Sequence, residues 1–256
     1  MRHDEQTHRT ADGASIFWQQ WLPDGDPVGV VCLVHGLGEH SGRYGYVAER
    51  MTDAGYAVYA LDLRGHGNSG GTRGDLRVDD AVSDIADLVA AAQSDNPDLP
   101  VFLYGHSLGG LLTMTYVVRR RPAVNGMVAS APALDSELRE QKVKFTAANI
   151  LGGIVPGVTI PTGLDAEGVS RDPEVVAAYL ADPLVHDKGS LALAKQTFSA
   201  MDAMMATTRF PIPLLIIHGT ADRLTVPSAS RVFADNTEGD IYQSADGDFT
   251  SWAATE

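Results

Sequence analysis

Two serines in this chain stand in a G-x-S-x-G pattern, Gly105-His106-Ser107-Leu108-Gly109 and Gly67-Asn68-Ser69-Gly70-Gly71. A serine in this setting becomes a nucleophile when a sharp strand-to-helix turn lifts its hydroxyl above the carboxyl end of a sheet, and the flanking glycines leave room for that turn. With 26 Gly in 256 residues, chance alone supplies roughly 0.15 matches, so context has to decide between the two. Ser107 follows the apolar run Val101-Phe102-Leu103-Tyr104 and opens a helical pattern rich in Leu, Met, Val and Tyr, which closes on Arg119 to Arg121 and stops at Pro122. That is strand, turn, helix. Ser69 is followed by Thr72-Arg73-Gly74-Asp75 without helical periodicity and reads as a turn residue.

A serine nucleophile needs donors for the oxyanion and an acid–base partner. The backbone N–H of Leu108, directly after Ser107, points where an oxyanion would form. His35-Gly36-Leu37-Gly38 follows a buried strand, and its glycines let the turn approach the serine, which makes the Leu37 N–H a second candidate donor. After the late strand Pro213 to His218 comes Gly219-Thr220-Ala221-Asp222-Arg223, where the acid of a Ser, Asp, His order belongs. Asp222 is the candidate acid, set against a helix N-cap or loop role, and His218 reads as a strand-end residue. Cys32 lies inside the apolar run Val30 to Val34 and reads as core. The eight histidines show no zinc spacing, so no metal is expected. Gly65-His66-Gly67-Asn68-Ser69-Gly70 fits G-x-G-x-x-G, yet no helix opens on it, which argues against a dinucleotide site. The preferred reading is a strand-end loop held by Asp62 and Arg64.

The elements that must position these residues alternate along the chain. A hairpin signal at Ala11-Asp12-Gly13 joins Thr7 to Thr10 with Ser15 to Trp21. Continuous runs of β-formers at Gly29 to Val34 and Ala57 to Leu61 predict strands covered on both faces. Helical patterns follow at Tyr44 to Ala54 and at Val78 to Ala92, the latter with an acidic outer face. Val101 to Tyr104, Gly126 to Ala129 and Pro213 to His218 add strands. This rhythm predicts an α/β fold, a doubly wound and mostly parallel sheet with helices on both faces. It breaks between Ser130 and Arg209, where helical pieces (Asp135 to Ile150, Pro173 to Leu184, Leu191 to Thr207) mix with the apolar Gly/Pro-rich stretch Leu151 to Gly163. An insertion of that length reads as a cap over the carboxyl ends of the strands. The expected division is residues 1–130 and 210–256 as the core and 131–209 as the cap, with the apolar stretch either forming a wall for an acyl chain or packing the cap onto the body.

Composition narrows the function classes. A net charge of −14 argues against a nucleic-acid partner, because phosphate binding needs a cationic face and the cluster Arg119 to Arg121 is accounted for by a helix terminus. No apolar run approaches a transmembrane span and the N-terminus is too polar for a signal peptide, so a cytoplasmic location is expected. Contact with membranes is left to the cap.

HGLGEHSGRY, LPVFLYGHSLGG, SRDPEVVAAYLADPLVH and HGTADRL, in that order, together resemble the monoacylglycerol lipases, which are α/β-hydrolases of the serine aminopeptidase-like group. The resemblance covers Phe17 to Gly247 and implies an α/β-hydrolase fold with a helical cap. It also implies no cofactor and hydrolysis of a small lipid ester, a monoacylglycerol, to glycerol and fatty acid through an acyl-enzyme at Ser107. On the matched motifs Asp222 is the triad acid, Leu37 and Leu108 supply the oxyanion amides, and Glu39 and Arg43 shape the alcohol side of the pocket. In such enzymes a D/E-G-x-x-H turn after the last strand brings in the catalytic histidine, followed by a closing helix. Here Asp246-Gly247 begins such a turn, Thr250 stands near the histidine position, and no histidine follows His218. The departure implies a truncated or frame-altered end. It leaves three readings open: an active lipase, a catalytically impaired hydrolase-fold protein that still binds acyl ligands, and a serine aminopeptidase-like hydrolase.

Overall fold

The computed structural model describes residues 1–136 and 155–244. Its main sheet has eight strands: β1 (Arg2–Arg9), β2 (Ser15–Leu22), β3 (Gly29–Val34), β4 (Tyr56–Leu61), β5 (Val101–His106), β6 (Gly126–Ser130), β9 (Leu214–Ile217) and β10 (Ile241–Gln243). They lie in the order β1-β2-β4-β3-β5-β6-β9-β10. The β1–β2 hairpin and the β2–β4 pair are antiparallel, and every pairing from β4 through β3 to β10 is parallel. This is the expected α/β-hydrolase architecture. The central strands are buried on both faces because their alternate residues feed two cores. Val30, Cys32, Val34, Leu103, Met127 and Ile216 enter one cluster. Val31, Leu33, Val58, Ala60 and Tyr104 enter the other.

Helices α1 (Gly45–Asp53), α2 (Val78–Asp95) and α3 (Leu108–Arg120) occupy the expected intervals. The acidic face of α2 is not wholly outward. Asp84 is buried, where both its oxygens accept from Arg64 at 2.8 Å, so the carboxylate serves to anchor the loop after β4. Arg64 also reaches Asp12, and Asp62, fully buried, accepts from the amides of Ser41 and Asn68 at 2.8 Å. The Asp62–Gly70 loop is therefore a structural knot, as the two residues singled out in it suggest.

Within the insertion between β6 and β9 the structure describes β7 (Thr159–Pro161), which pairs antiparallel with β8 (Lys188–Ser190), and helices α4 (Pro173–Ala181) and α5 (Leu191–Met205). Helix α4 ends three residues before the expected Leu184, because Asp182 turns its side chain to accept from the Leu184 amide. Of the helix expected over Asp135 to Ile150, Asp135 and Ser136 are not helical, and the rest lies outside the described residues, as do Leu151 to Ile154 of the apolar stretch and the tail with Asp246, Gly247 and Thr250. A further helix, α6 (Pro227–Asn236), starts with Pro at its first turn and buries Ala229 and Phe233, four residues apart.

Candidate active site

Ser107 sits between β5 and α3 with φ 52° and ψ −118°. A non-glycine residue in this region carries strain of about 1–3 kcal/mol, so the surroundings must impose it. They do so by backbone bonds on three sides. The Ser107 amide donates to Ser130 O at 2.9 Å, and its carbonyl accepts from Leu111 and Ala133 at 3.2 and 3.0 Å. The flanking glycines are required by contact. A Cβ on Gly109 would stand 2.3 Å from His35 O and 2.4 Å from Val34 O, and one on Gly105 would stand 2.6 Å from Gly109 O. Strand β3 and the start of α3 meet with no room for a side chain. Ser69, in contrast, is buried with its hydroxyl spent on backbone, donating to Asp62 O at 2.6 Å and accepting from Phe17 N at 2.8 Å.

The turn after β3 comes as close to Ser107 as its glycine permits. A Cβ on Gly36 would lie 3.3 Å from Ser107 Cβ and 2.8 Å from Glu39 Oε1. Leu37 therefore stands beside Ser107, and Leu108 begins α3, whose first amides face the positive helix end. Glu39 is buried behind the turn. Its Oε1 accepts from Gly36 N and from Tyr44 Oη, both at 2.7 Å, and its Oε2 pairs with Arg43. Burial pushes this carboxyl up, but Arg43, His106, His35 and the Tyr44 hydroxyl together outweigh it and hold the pKa at about 2. Both oxygens of Glu39 are thus committed to protein groups, and its contribution to the pocket is to brace the turn. Arg43 lays its guanidinium over the Tyr179 ring, 4.6 Å from the centroid.

Asp222, in the loop after β9, is held by a directional network. Its Oδ1 accepts from the amides of Leu224 and Thr225 at 2.7 and 3.0 Å, and its Oδ2 accepts from Thr225 Oγ1 at 2.7 Å. Because the Thr225 hydroxyl gives its proton to Asp222, the oxygen accepts from His218 Nε2 at 3.0 Å. His218 Nδ1 in turn accepts from Ser230 on α6 at 2.7 Å. Burial raises the Asp222 pKa, but His218, Thr225 and the amides prevail and bring it to about 2, so the group is ionised at neutral pH. The Ser230 link is not legible from residue types, since it joins the loop to α6 only after folding, whereas Thr225 stands three residues from Asp222 in the same loop.

Ser107, Leu37, Glu39, Arg43 and Asp222 all line one cavity of about 660 Å³, which also takes wall residues from the insertion, among them Leu164 and Tyr179. Of the apolar stretch, Thr162 reaches the cavity, whereas Val155, Val158 and Ile160 are among the exposed hydrophobics. All eight histidines are described, and none hydrogen-bonds to Ser107. His106, the neighbour of Ser107, turns Nδ1 to Ser130 Oγ at 3.1 Å.

The Serine aminopeptidase, S33 family matches residues 25–243. The monoacylglycerol lipase of Mycolicibacterium smegmatis is 42% identical over 234 residues, covering 90% of this chain and 83% of that protein. The monoglyceride lipase of Homo sapiens is 34% identical over 220 residues, covering 84% and 72%. Among solved structures, the Paleococcus ferrophilus monoacylglycerol lipase superposes with a TM-score of 0.80 at 38% identity, covering 89% of this chain and 88% of that one. A soluble variant of the Saccharomyces cerevisiae monoglyceride lipase gives 0.81 at 22% identity over 96% and 88%, a likeness of fold. With a strained serine, a glycine turn packed against it and a buffered carboxylate on one cavity, these matches establish that the chain belongs to the serine aminopeptidase (S33) family of α/β-hydrolases and is a serine hydrolase of monoacylglycerol lipase type.

Proposed function

We propose that this chain hydrolyses a monoacylglycerol, with Ser107 as nucleophile, Asp222 as the acid of the triad and the amides of Leu37 and Leu108 as the oxyanion hole. Ser107 Oγ adds to the ester carbonyl as its proton leaves, the oxyanion takes the two N–H bonds, and collapse breaks the ester C–O bond, the glycerol oxygen taking up that proton as it departs and leaving an acyl-serine. Water then attacks the acyl group and releases the fatty acid. Residues 131–209 act as the cap, Glu39 and Arg43 shape the glycerol side, and the half-exposed cap residues Val155, Val158, Ile160, Leu164 and Leu180 meet a lipid surface transiently. No described helix is long and apolar enough to cross a membrane, and we place the enzyme in the cytoplasm as part of this reading. The observation that carries it is the presence of strained Ser107, the Leu37 turn and Asp222 on one cavity of a size suited to a small ligand.

A second reading has its own observation. The proton of Ser107 needs an acceptor, and none of the eight histidines is bonded to it. A hydrolase-fold protein that binds acyl ligands with impaired turnover satisfies both facts. Hydrolysis of monoolein and of a p-nitrophenyl ester, with Ser107→Ala as control, separates the two. Turnover that disappears in the variant supports the lipase. Equal inertness of both folded proteins, with no fluorophosphonate labelling at Ser107, supports the impaired protein.

A further inference from the structure

The Gly65 to Gly71 loop matches a dinucleotide fingerprint and a serine motif and serves neither. Through His66 it meets a strap from the cap. Residues His186 to Ser190 cross two glycine turns of the core. At one end His186 N–H donates to Gly38 O at 2.8 Å, and at the other Ser190 N–H donates to Gly74 O, also at 2.8 Å. Both seats require glycine. Gly38 and Gly74 each have φ +76°, and a Cβ would lie 2.3 Å from His186 O and 2.3 Å from Lys188 O respectively. These are contacts of backbone on backbone, which no change of rotamer relieves.

At the His186 end the strap also packs ring against ring, in a tilted rather than a stacked arrangement. The His186 ring lies 4.6 Å from that of His66, and His66 lies 5.5 Å from His35. Backbone partners fix the tautomers. Leu63 N–H donates to His35 Nε2 at 2.9 Å, so the proton of His35 is on Nδ1, which donates to Gly36 O at 2.7 Å. His66 Nδ1 donates to Arg64 O at 2.9 Å, and His186 Nδ1 accepts from Lys188 N at 3.2 Å. The turn His35–Gly38 is thereby gripped from two sides. Below, Gly36 is held through its N–H by Glu39 and through its carbonyl by His35. Above, the carbonyl of Gly38 is held by the strap. Leu37 is the one residue between the two grips.

We infer that His186 is a positioning residue for the oxyanion hole: its strap clamps the His35–Gly38 turn, so that seating of the cap and aim of the Leu37 amide form one cooperative unit. The inference rests on the reading of Leu37 as an oxyanion donor. A lifted cap releases Gly38 O and lets the turn relax, and a seated cap restores the donor at the moment the cavity is closed. The hole is assembled only when the cap is down.

Hydrogen exchange tests this without any turnover. In the unmutated protein the amides of Gly36, His186 and Ser190 should open with the same free energy in dilute urea, as members of one local unit. Gly36 remaining protected after His186 and Ser190 have exchanged overturns the proposal. In Gly74→Ala, which lifts the far end of the strap, and in His186→Ala, exchange at residues 35–39 should accelerate tenfold or more while β3 stays protected. Acceleration confined to residues 72–76 and 186–190 overturns it. Where either variant unfolds as a whole, the comparison in the unmutated protein decides. On a soluble p-nitrophenyl ester, His186→Ala should lower kcat about tenfold with KM within twofold, and a raised KM at unchanged kcat overturns it. A parent protein inert on the ester counts against the hydrolase reading alone, since the exchange arms stand without it.

Discussion

Ser107 and Ser69 carry the same five-residue pattern, and the fold uses them in opposite ways. Ser107 is forced to φ 52° by a strand and a helix that meet at Gly105 and Gly109, and its hydroxyl faces a cavity. Ser69 closes a loop with its hydroxyl, bridging Asp62 O and Phe17 N. The glycines differ as well. Those around Ser107 are excluded from side chains by backbone contact, while around Ser69 a Cβ on Gly67 would meet the Asp62 side chain at 2.0 Å and one on Gly71 would find nothing nearer than 3.4 Å, leaving only its φ of +102° as a demand. A nucleophile is thus made by crowding of the backbone around it and by keeping its oxygen unspent. The pattern of residues merely permits both.

The largest test of that contrast is to remove each hydroxyl. Ser107→Ala should reduce ester hydrolysis by about 10⁴ to 10⁶-fold with little effect on urea unfolding. Ser69→Ala should leave kcat/KM within twofold and cost about 1–3 kcal/mol of stability, because two buried backbone groups lose their partner. A Ser69 variant as inactive as the Ser107 variant would break the comparison. Next in size is Asp222→Asn, expected to cost about 10⁴-fold in kcat if Asp222 is the triad acid. Thr225→Val, which removes one bond to the same carboxylate, should cost on the order of tenfold. Equal activity of Asp222→Asn and the parent would leave Ser107 without its proposed partner. The glycines come third. Gly109→Ala should destabilise by about 3 kcal/mol or more in urea, since the new methyl meets two carbonyls, while Gly71→Ala should cost about 1–2 kcal/mol from its backbone angle alone.

Much of this was legible from residue types, and the reasons for the gaps are specific. Strands β3 and β4 announce themselves because burial on both faces of a parallel sheet demands unbroken runs of β-formers. Strand β5 runs two residues past Tyr104, since Gly105 and His106 are poor β-formers held in the sheet by pairing with Ala129 and Ser130. The inward turn of Asp84 depends on Arg64, which arrives from a different loop. At the site, Ser107, Asp222 and the two leucine turns follow from motif and order. The seating of His186 on His66 joins segments far apart in the chain, while the brace of Glu39 on Gly36 and the Thr225 link to Asp222 each span only three residues and turn on backbone angles that residue types do not specify; Ser230 reaches the network through His218.

Acid should sharpen the comparison last, because each serine loop carries a histidine shielded from water, His66 fully and His106 in part. His106 adjoins Ser107 and His66 belongs to the Ser69 loop, and burial, the largest influence on both, lowers their pKa from the ordinary 6.5. His66 also faces His35, His186 and Arg73, each of which opposes its protonation, while the Arg64 carbonyl favours it. His106 faces Glu39 and Asp222, which favour protonation, and Arg43 and His218, which oppose it. With the folded pKa depressed, the unfolded chain takes up protons that the folded chain refuses once pH falls below about 6.5. Stability is therefore full above that pH and declines as pH drops toward the folded value, by up to about 1.4 kcal/mol per pH unit for each such histidine. Urea titrations at pH 7.5, 6.5 and 5.5 should show no change over the first interval and a loss over the second. His66→Gln should flatten the loss and lower ester hydrolysis at pH 7.5 by no more than His186→Ala does, because it reaches the chemistry only through the strap, whereas His106→Gln should flatten it and lower hydrolysis further, because His106 lines the cavity beside Ser107. A His66 variant that loses hydrolysis as fully as Ser107→Ala while keeping its urea midpoint would mean that the Ser69 loop acts on the chemistry directly and that the two loops are less separate than their hydrogen bonds imply.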